Sequence, residues 1–99
     1  MILSSRKLIT IVAEAALENR LTQDLKAIGA KGYTVTPAHG TGPKNQRVGD
    51  MEGGNIRIEM VCSEELLEQV IELLKRNYLT NYACSFWVSD VQVLREERY

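Results

Sequence analysis

Histidine occurs once in these 99 residues, at position 39, and cysteine only twice, at 62 and 84. With one imidazole and no CxxC pair there is no tetrahedral zinc set. The two thiols read as reduced, partly buried small hydrophobes. Long apolar runs are also missing. The opening stretch MILSSRKLITIVAEAAL is interrupted by polar and charged residues too often for a membrane span. Its small residues fall at a helix start rather than at a cleavage site, so the expectation is a cytoplasmic protein. A net charge of −1 lacks the broad basic footprint of a non-specific nucleic-acid binder. Finally, no nucleophile, base and orienting acid can be put together. His39, beside a glycine turn, reads as a surface loop histidine, and Glu64, Glu65, Glu68 and Glu72 follow the polar face of a helix.

What is present is a single globular unit, residues 1–99, with 44% hydrophobic and 25% charged residues. A chain this short buries a limited share of its surface, and oligomerisation is a common remedy. Leu8 to Val12, LITIV, is apolar at nearly every position, which predicts a strand covered on both faces. Leu17, Leu21, Leu25 and Ile28 recur at helical spacing, and Gly29 stands where a left-handed cap is needed. GYTVTPA, Gly32 to Ala38, predicts a second strand, with Pro37 placing its far end at an edge. NIRIEMV alternates Ile56, Ile58 and Met60 against Arg57, Glu59 and Val61, a half-buried third strand. Ser63 is a good N-cap for a helix whose apolar stripe is Leu67, Val70, Ile71, Leu74 and Tyr78. ACSFWV, Ala83 to Val88, predicts the last strand, followed by a short extension, and Phe86 and Trp87 point to opposite sides of it.

The order strand, helix, strand, strand, helix, strand predicts an α+β, ferredoxin-like βαββαβ sandwich with both helices on one sheet face. The other face is left to pack against further copies of the chain. Such a sheet is shared with RNA-recognition domains, but the third strand offers no stacking aromatics.

Between the second and third strands lies GTGPKNQRVGDMEGGN, residues 40 to 55, whose only aliphatic residues are Val48 and Met51. Loops beyond about 12 residues are uncommon in compact domains and are usually functional or disordered. Backbone N–H groups exposed by glycines can face anionic oxygens, and Lys44 and Arg47 add positive charge. A phosphate or carboxylate ligand suits that chemistry.

These residues resemble the PII signalling superfamily over nearly the full length: KLITIVAE as first strand, AIGAKGYTVTPAHGTG as helix end, second strand and loop start, and NIRIEMV as third strand. The loop GTGPKNQRVGDMEGGNIRIE is similar to that of the PII-like branch associated with bicarbonate transporters and carboxysomes, with Pro43 and Lys44 in place of serine and arginine. The resemblance implies a homotrimer with an adenine nucleotide in each cleft between subunits. It implies that the long excursion is the T-loop, through which a membrane transporter or an enzyme is regulated, with recruitment to the membrane by the transporter. By position it assigns Gly32, Thr34, Gly40, Gly42, Glu59 and Val61 to the nucleotide cleft, Arg95 to a phosphate, and Lys44 and Arg47 to the basic loop positions.

The sequence departs from nitrogen-regulating PII proteins in two places. No tyrosine lies between Gly40 and Asn55, and the segment NYLTNYACSF before the last strand has neither the glycine nor the lysine that grips outer phosphates. A ligand of one or two phosphates, AMP, ADP or cyclic AMP, is expected in preference to ATP, with bicarbonate as a further candidate and no metal. The expected protein is a non-catalytic sensor. The alternatives are a small trimeric enzyme slowly hydrolysing its own nucleotide, and a metal-tolerance-type trimeric interaction protein.

Overall fold

A computed structural model describes residues 1–40 and 54–99. Four strands form one antiparallel sheet: β1 (Ser4–Glu14), β2 (Thr34–Ala38), β3 (Asn55–Cys62) and β4 (Ser85–Val93), in the spatial order β2-β3-β1-β4. Helix α1 (Glu18–Ala27) connects β1 to β2, and helix α2 (Glu64–Asn77) connects β3 to β4. This is the expected ferredoxin-like sandwich.

Local chemistry explains where the helices stop and start. At the end of α1, Gly29 adopts φ +109°, its N–H reaches Lys26 O at 3.1 Å, and Ala30 N–H reaches Leu25 O at 3.0 Å. These are the two bonds of a Schellman cap, and the positive φ is what a Cβ would oppose. At the start of α2, Ser63 Oγ accepts from Leu66 N–H at 3.2 Å, while Glu64 and Glu65 sit at the positive end of the helix dipole.

The alternation in β3 appears as expected, with Ile56, Ile58, Met60 and Cys62 buried and Arg57 exposed. Directly opposite them, Ile9, Ile11 and Ala13 of β1 turn to the same side. Leu21 and Leu25 of α1 and Val70, Leu74 and Tyr78 at α2 close the core over that face. Leu73 joins the buried stripe in the place the sequence reading gives to Ile71, and Ile71 is half-buried.

Three boundaries differ from the sequence reading. β1 begins at Ser4 rather than Leu8, and β4 runs from Ser85 to Val93, so the extension after Val88 is itself strand. The two corrections have one cause, because Ser4–Lys7 and Asp90–Val93 pair with one another. Polar residues are held in the ladder by a partner that local propensity cannot reveal. β2 begins at Thr34, which leaves Gly32 in the connection from α1. β2 is an edge strand, as Pro37 requires.

On the open face, Thr10 is flanked in register by Glu59 on β3 and Trp87 on β4, and Leu8 lies opposite Val61. Thr10 is only 4% exposed, whereas Trp87 is 51% exposed. Phe86 turns the other way and packs on the core, as the sequence predicts. No described helix is long and apolar enough to cross a membrane. Both cysteines are free, and burial pushes the Cys62 thiol pKa up and that of Cys84 up to about 11.

Candidate functional site

The residues expected to hold a ligand fall into two groups, one running from the start of β2 to the middle of the sheet and one that begins beyond the far end of β2. Thr34 and Glu59 are register partners on the open face, with Val61 on that face of the same strand and Gly32 just before β2. Glu59 Oε1 lies 4.0 Å from Arg57 Nε, a loose contact that leaves the carboxylate able to accept from a donor above the sheet. Lys7 does not reach Glu59: its Nζ donates to Asp90 Oδ1 at 2.5 Å, which raises the Lys7 pKa.

Arg95 is tied to the connection before β2 because the chain after β4 forms a short 3-10 turn, Glu96–Arg98, whose contacts reach back to β1 and Lys31. Ser4 Oγ donates to Glu96 Oε2 at 2.7 Å, Arg6 Nη2 donates to Glu96 O at 3.2 Å, and Lys31 Nζ donates to Glu97 O at 3.3 Å. Lys31 immediately precedes Gly32, so the turn that follows Arg95 is tied to the connection leading into Thr34.

Gly40 is at the far end. Four strand steps separate Thr34 from Ala38, about 13 Å along β2, and Gly40 lies beyond. Gly42, Lys44 and Arg47 lie outside the described residues. The mouth of the long segment is fixed from below: Ala15 N–H donates to Gly54 O at 3.1 Å, and Gly54 adopts φ +67°. Beside it, Glu14 Oε2 accepts from Ala83 N–H at 3.3 Å, which joins the segment before β4 to the same corner. Gly32 and Gly40 show no positive φ, and among the described residues a Cβ on either would meet nothing within 4 Å. Packing among the described residues therefore does not explain why these two positions are glycine. Close approach of something outside the chain would.

Sequence reasoning missed a cluster that shapes the connection between α2 and β4. Arg20 of α1 lies 5.1 Å from the Tyr78 ring centroid and 5.6 Å from that of Tyr82, and its Nη1 donates to the Tyr82 hydroxyl at 2.8 Å. Tyr78 in turn donates to Asp24 Oδ2 at 2.5 Å. The segment NYLTNYACSF is thus clamped by aromatic and ionic contacts. A hollow of about 520 Å³, lined by Lys7, Ser63, Glu64 and Asp90 among others, includes none of the expected ligand residues.

A ferredoxin-like sheet with a long polar insertion between its second and third strands, and ligand-type residues at both ends of that insertion's strand, defines a signalling domain of the PII type. The chain belongs to the nitrogen regulatory protein P-II family, whose model matches residues 6–98. It is 45% identical to a structure assigned as a PII-like signalling protein of Thermus thermophilus, with a TM-score of 0.85 over 100% of this chain and 99% of that one. CPII of Thiomonas intermedia, a nitrogen regulatory PII-like protein bound to ADP, AMP and bicarbonate, is 26% identical, with a TM-score of 0.79 over 99% and 100% of the two chains. GlnK of B. subtilis, in complex with ATP, shares the fold at 24% identity and a TM-score of 0.68, over 92% of this chain and 85% of that one.

Proposed function

We propose that this chain is a non-catalytic nucleotide sensor that works as a homotrimer, each of its 99-residue units contributing to two clefts. The observation that carries this reading is the separation of the two residue groups. One group, Gly32, Thr34, Glu59 and Val61, runs from the start of β2 to the middle of the sheet and is tied through Lys31 to the turn bearing Arg95, and the other begins at Gly40, which leads away from the far end of β2. A neighbouring copy placed against the open face, where Trp87, Leu8 and Val12 are incompletely covered, can bring one copy's first group against the next copy's second.

In such a cleft each residue has a role its chemistry permits. Glu59 accepts from the adenine amine or a ribose hydroxyl, and Thr34 donates or accepts beside it. Val61 packs on the base, Gly32 and Gly40 let backbone approach closely, and Arg95 meets a phosphate. Gly42, Lys44 and Arg47 supply the N–H groups and the charge of the T-loop side. The ligand is AMP, ADP or cyclic AMP rather than ATP. The nucleotide and bicarbonate reported for Thiomonas CPII support this, bicarbonate being the coupled anion. The T-loop then presents the bound state to a transporter or enzyme, from the cytoplasm or at the membrane.

Isothermal titration with AMP, ADP, ATP and cyclic AMP, each with and without bicarbonate, tests the reading. Saturable binding of one of the smaller nucleotides, one per chain and without turnover, is expected. No binding of any nucleotide refutes it, and steady release of phosphate with magnesium converts it to the enzymatic alternative.

A further inference from the structure

We infer that Glu96 is a positioning residue for the phosphate contact. It rests on the nucleotide reading above and adds to it the element that places Arg95. After Val93 the backbone leaves the sheet, and the turn Glu96–Arg98 has no buried residue to hold it. Its own backbone bonds, Arg98 N–H to Arg95 O and Tyr99 N–H to Glu96 O, both 3.1 Å, shape the turn without docking it.

Docking comes from the polar contacts to Ser4, Arg6 and Lys31. Only one of these uses a side chain of the turn: Glu96 Oε2 accepts the Ser4 hydroxyl at 2.7 Å and lies 3.8 Å from Arg6 Nη2. Arg6 is itself fixed, since Nη1 donates to Ser5 O at 2.8 Å. Glu96 is therefore the side chain through which the first strand of the sheet holds the turn. Among the described residues no hydrogen bond or ion pair engages the adjacent Arg95 guanidinium, which is left available to an anion. Without the clip, Arg95 would keep its charge but lose its fixed origin, and a contact that must be ordered on binding is weaker than one already in place.

The test compares Glu96→Ala, Glu96→Gln, Arg95→Ala and the double variant, titrated with ADP and with adenosine. Arg95→Ala should weaken ADP about tenfold or more, the loss of a hydrogen bond to a charged group. Glu96→Ala should weaken ADP about three- to tenfold while leaving adenosine unchanged, since only the phosphate contact is displaced. Glu96→Gln, which keeps an acceptor for Ser4, should recover most of the affinity. The double variant should bind ADP no more weakly than Arg95→Ala alone, because both changes remove one interaction. Wild-type affinity for ADP in Glu96→Ala, an equal loss for adenosine, or full additivity in the double variant overturns the inference while leaving the nucleotide reading intact. A wild-type chain that binds no adenine nucleotide overturns both, and for one that binds AMP or cyclic AMP but not ADP the same series and outcomes are read with that nucleotide.

Discussion

Trp87 is the only tryptophan and stands on the uncovered face of the sheet, so one side chain can report on and disrupt the assembly proposed above. Its neighbour across the ladder is Thr10, already 4% exposed, and beyond Thr10 lies Glu59, whose side chain is 38% exposed. A tryptophan side chain can bury up to about 250 Å². With 51% of the residue exposed in the isolated chain, about 100 Å² remains for an interface to cover. At about 25 cal/mol per Å² that contributes about 2–3 kcal/mol per subunit, hence about 6–9 kcal/mol per trimer. The assembly constant of a trimer varies with the square of the chain concentration, so Trp87→Ala should raise the midpoint of assembly by about two to three decades. Trp87→Glu should raise it further by placing an unpaired carboxylate in the interface. Sedimentation equilibrium over a dilution series measures the shift. In the wild type, indole emission should move to the red as the trimer dissociates. The far-ultraviolet circular dichroism of both variants should stay that of the wild type, because the core lies on the other face. Variants that remain assembled at the wild-type concentration would refute the argument. So would an indole emission that is solvent-exposed in the intact oligomer.

Two further outcomes are expected. Tyr78 is fully buried and donates to Asp24, and burial followed by that bond raises its pKa above the ordinary 10.0. The folded state therefore favours the protonated phenol: its contribution is complete below about pH 10 and is lost as pH rises further. Urea unfolding should show stability falling above about pH 10 more steeply in the wild type than in Tyr78→Phe, and equal slopes would exclude Tyr78 as the titrating group. For Arg47, which lies outside the described residues, the proposal is that Arg47→Ala weakens nucleotide affinity by about 1.5–3 kcal/mol. Arg47→Lys should restore only part of it, and Glu68→Ala on the exposed face of α2 should change nothing, by calorimetric titration.

The elements that could be read from sequence are those whose cause is local. Gly29 announces its cap because a left-handed residue is needed within one turn of Leu25, whatever else the chain does. Ser63 caps through a bond to Leu66, three residues away. The alternation of Ile56, Ile58 and Met60 needs only a sheet with one dry face. By contrast, Ser4 to Lys7 carry no strand signal and become strand only because Asp90 to Val93 lie beside them. The Arg20 cluster with Tyr78 and Tyr82 joins side chains from separate elements, each of which has an ordinary helical or loop reading alone. The candidate site shows the same division. Glu59 and Thr34 follow from strand assignment, since both fall on the face away from the core. The place of Arg95 does not, because it depends on the docking of a turn whose partners, Ser4, Arg6 and Lys31, are distant in the chain.

That docking also bears on the choice between nucleotides. Four cations gather where the C-terminal turn meets the start of β1 and the connection before β2: Arg6, Lys31, Arg95 and Arg98. Two are already engaged, Arg6 by Glu96 and Lys31 by the Glu97 carbonyl, and the Glu96 and Glu97 carboxylates offset part of the remaining charge. Each added phosphate brings further negative charge, and with it a larger desolvation cost that paired cations must offset. On the proposed reading Arg95, with Arg98 in the same turn, serves one or two phosphates. In the proposed cleft a third would need a further donor. The segment before β4 holds Tyr78 and Tyr82 against Arg20, so that guanidinium is committed to the fold. Lys44 and Arg47, which lie outside the described residues, are the further cations that the proposed function assigns to the ligand. If those two residues bind an outer phosphate, ATP should compete with ADP and their removal should reduce ATP affinity more than ADP affinity. AMP, with a single phosphate, should then be the nucleotide least affected. If they bind bicarbonate instead, the loss on their removal should appear only when bicarbonate is present.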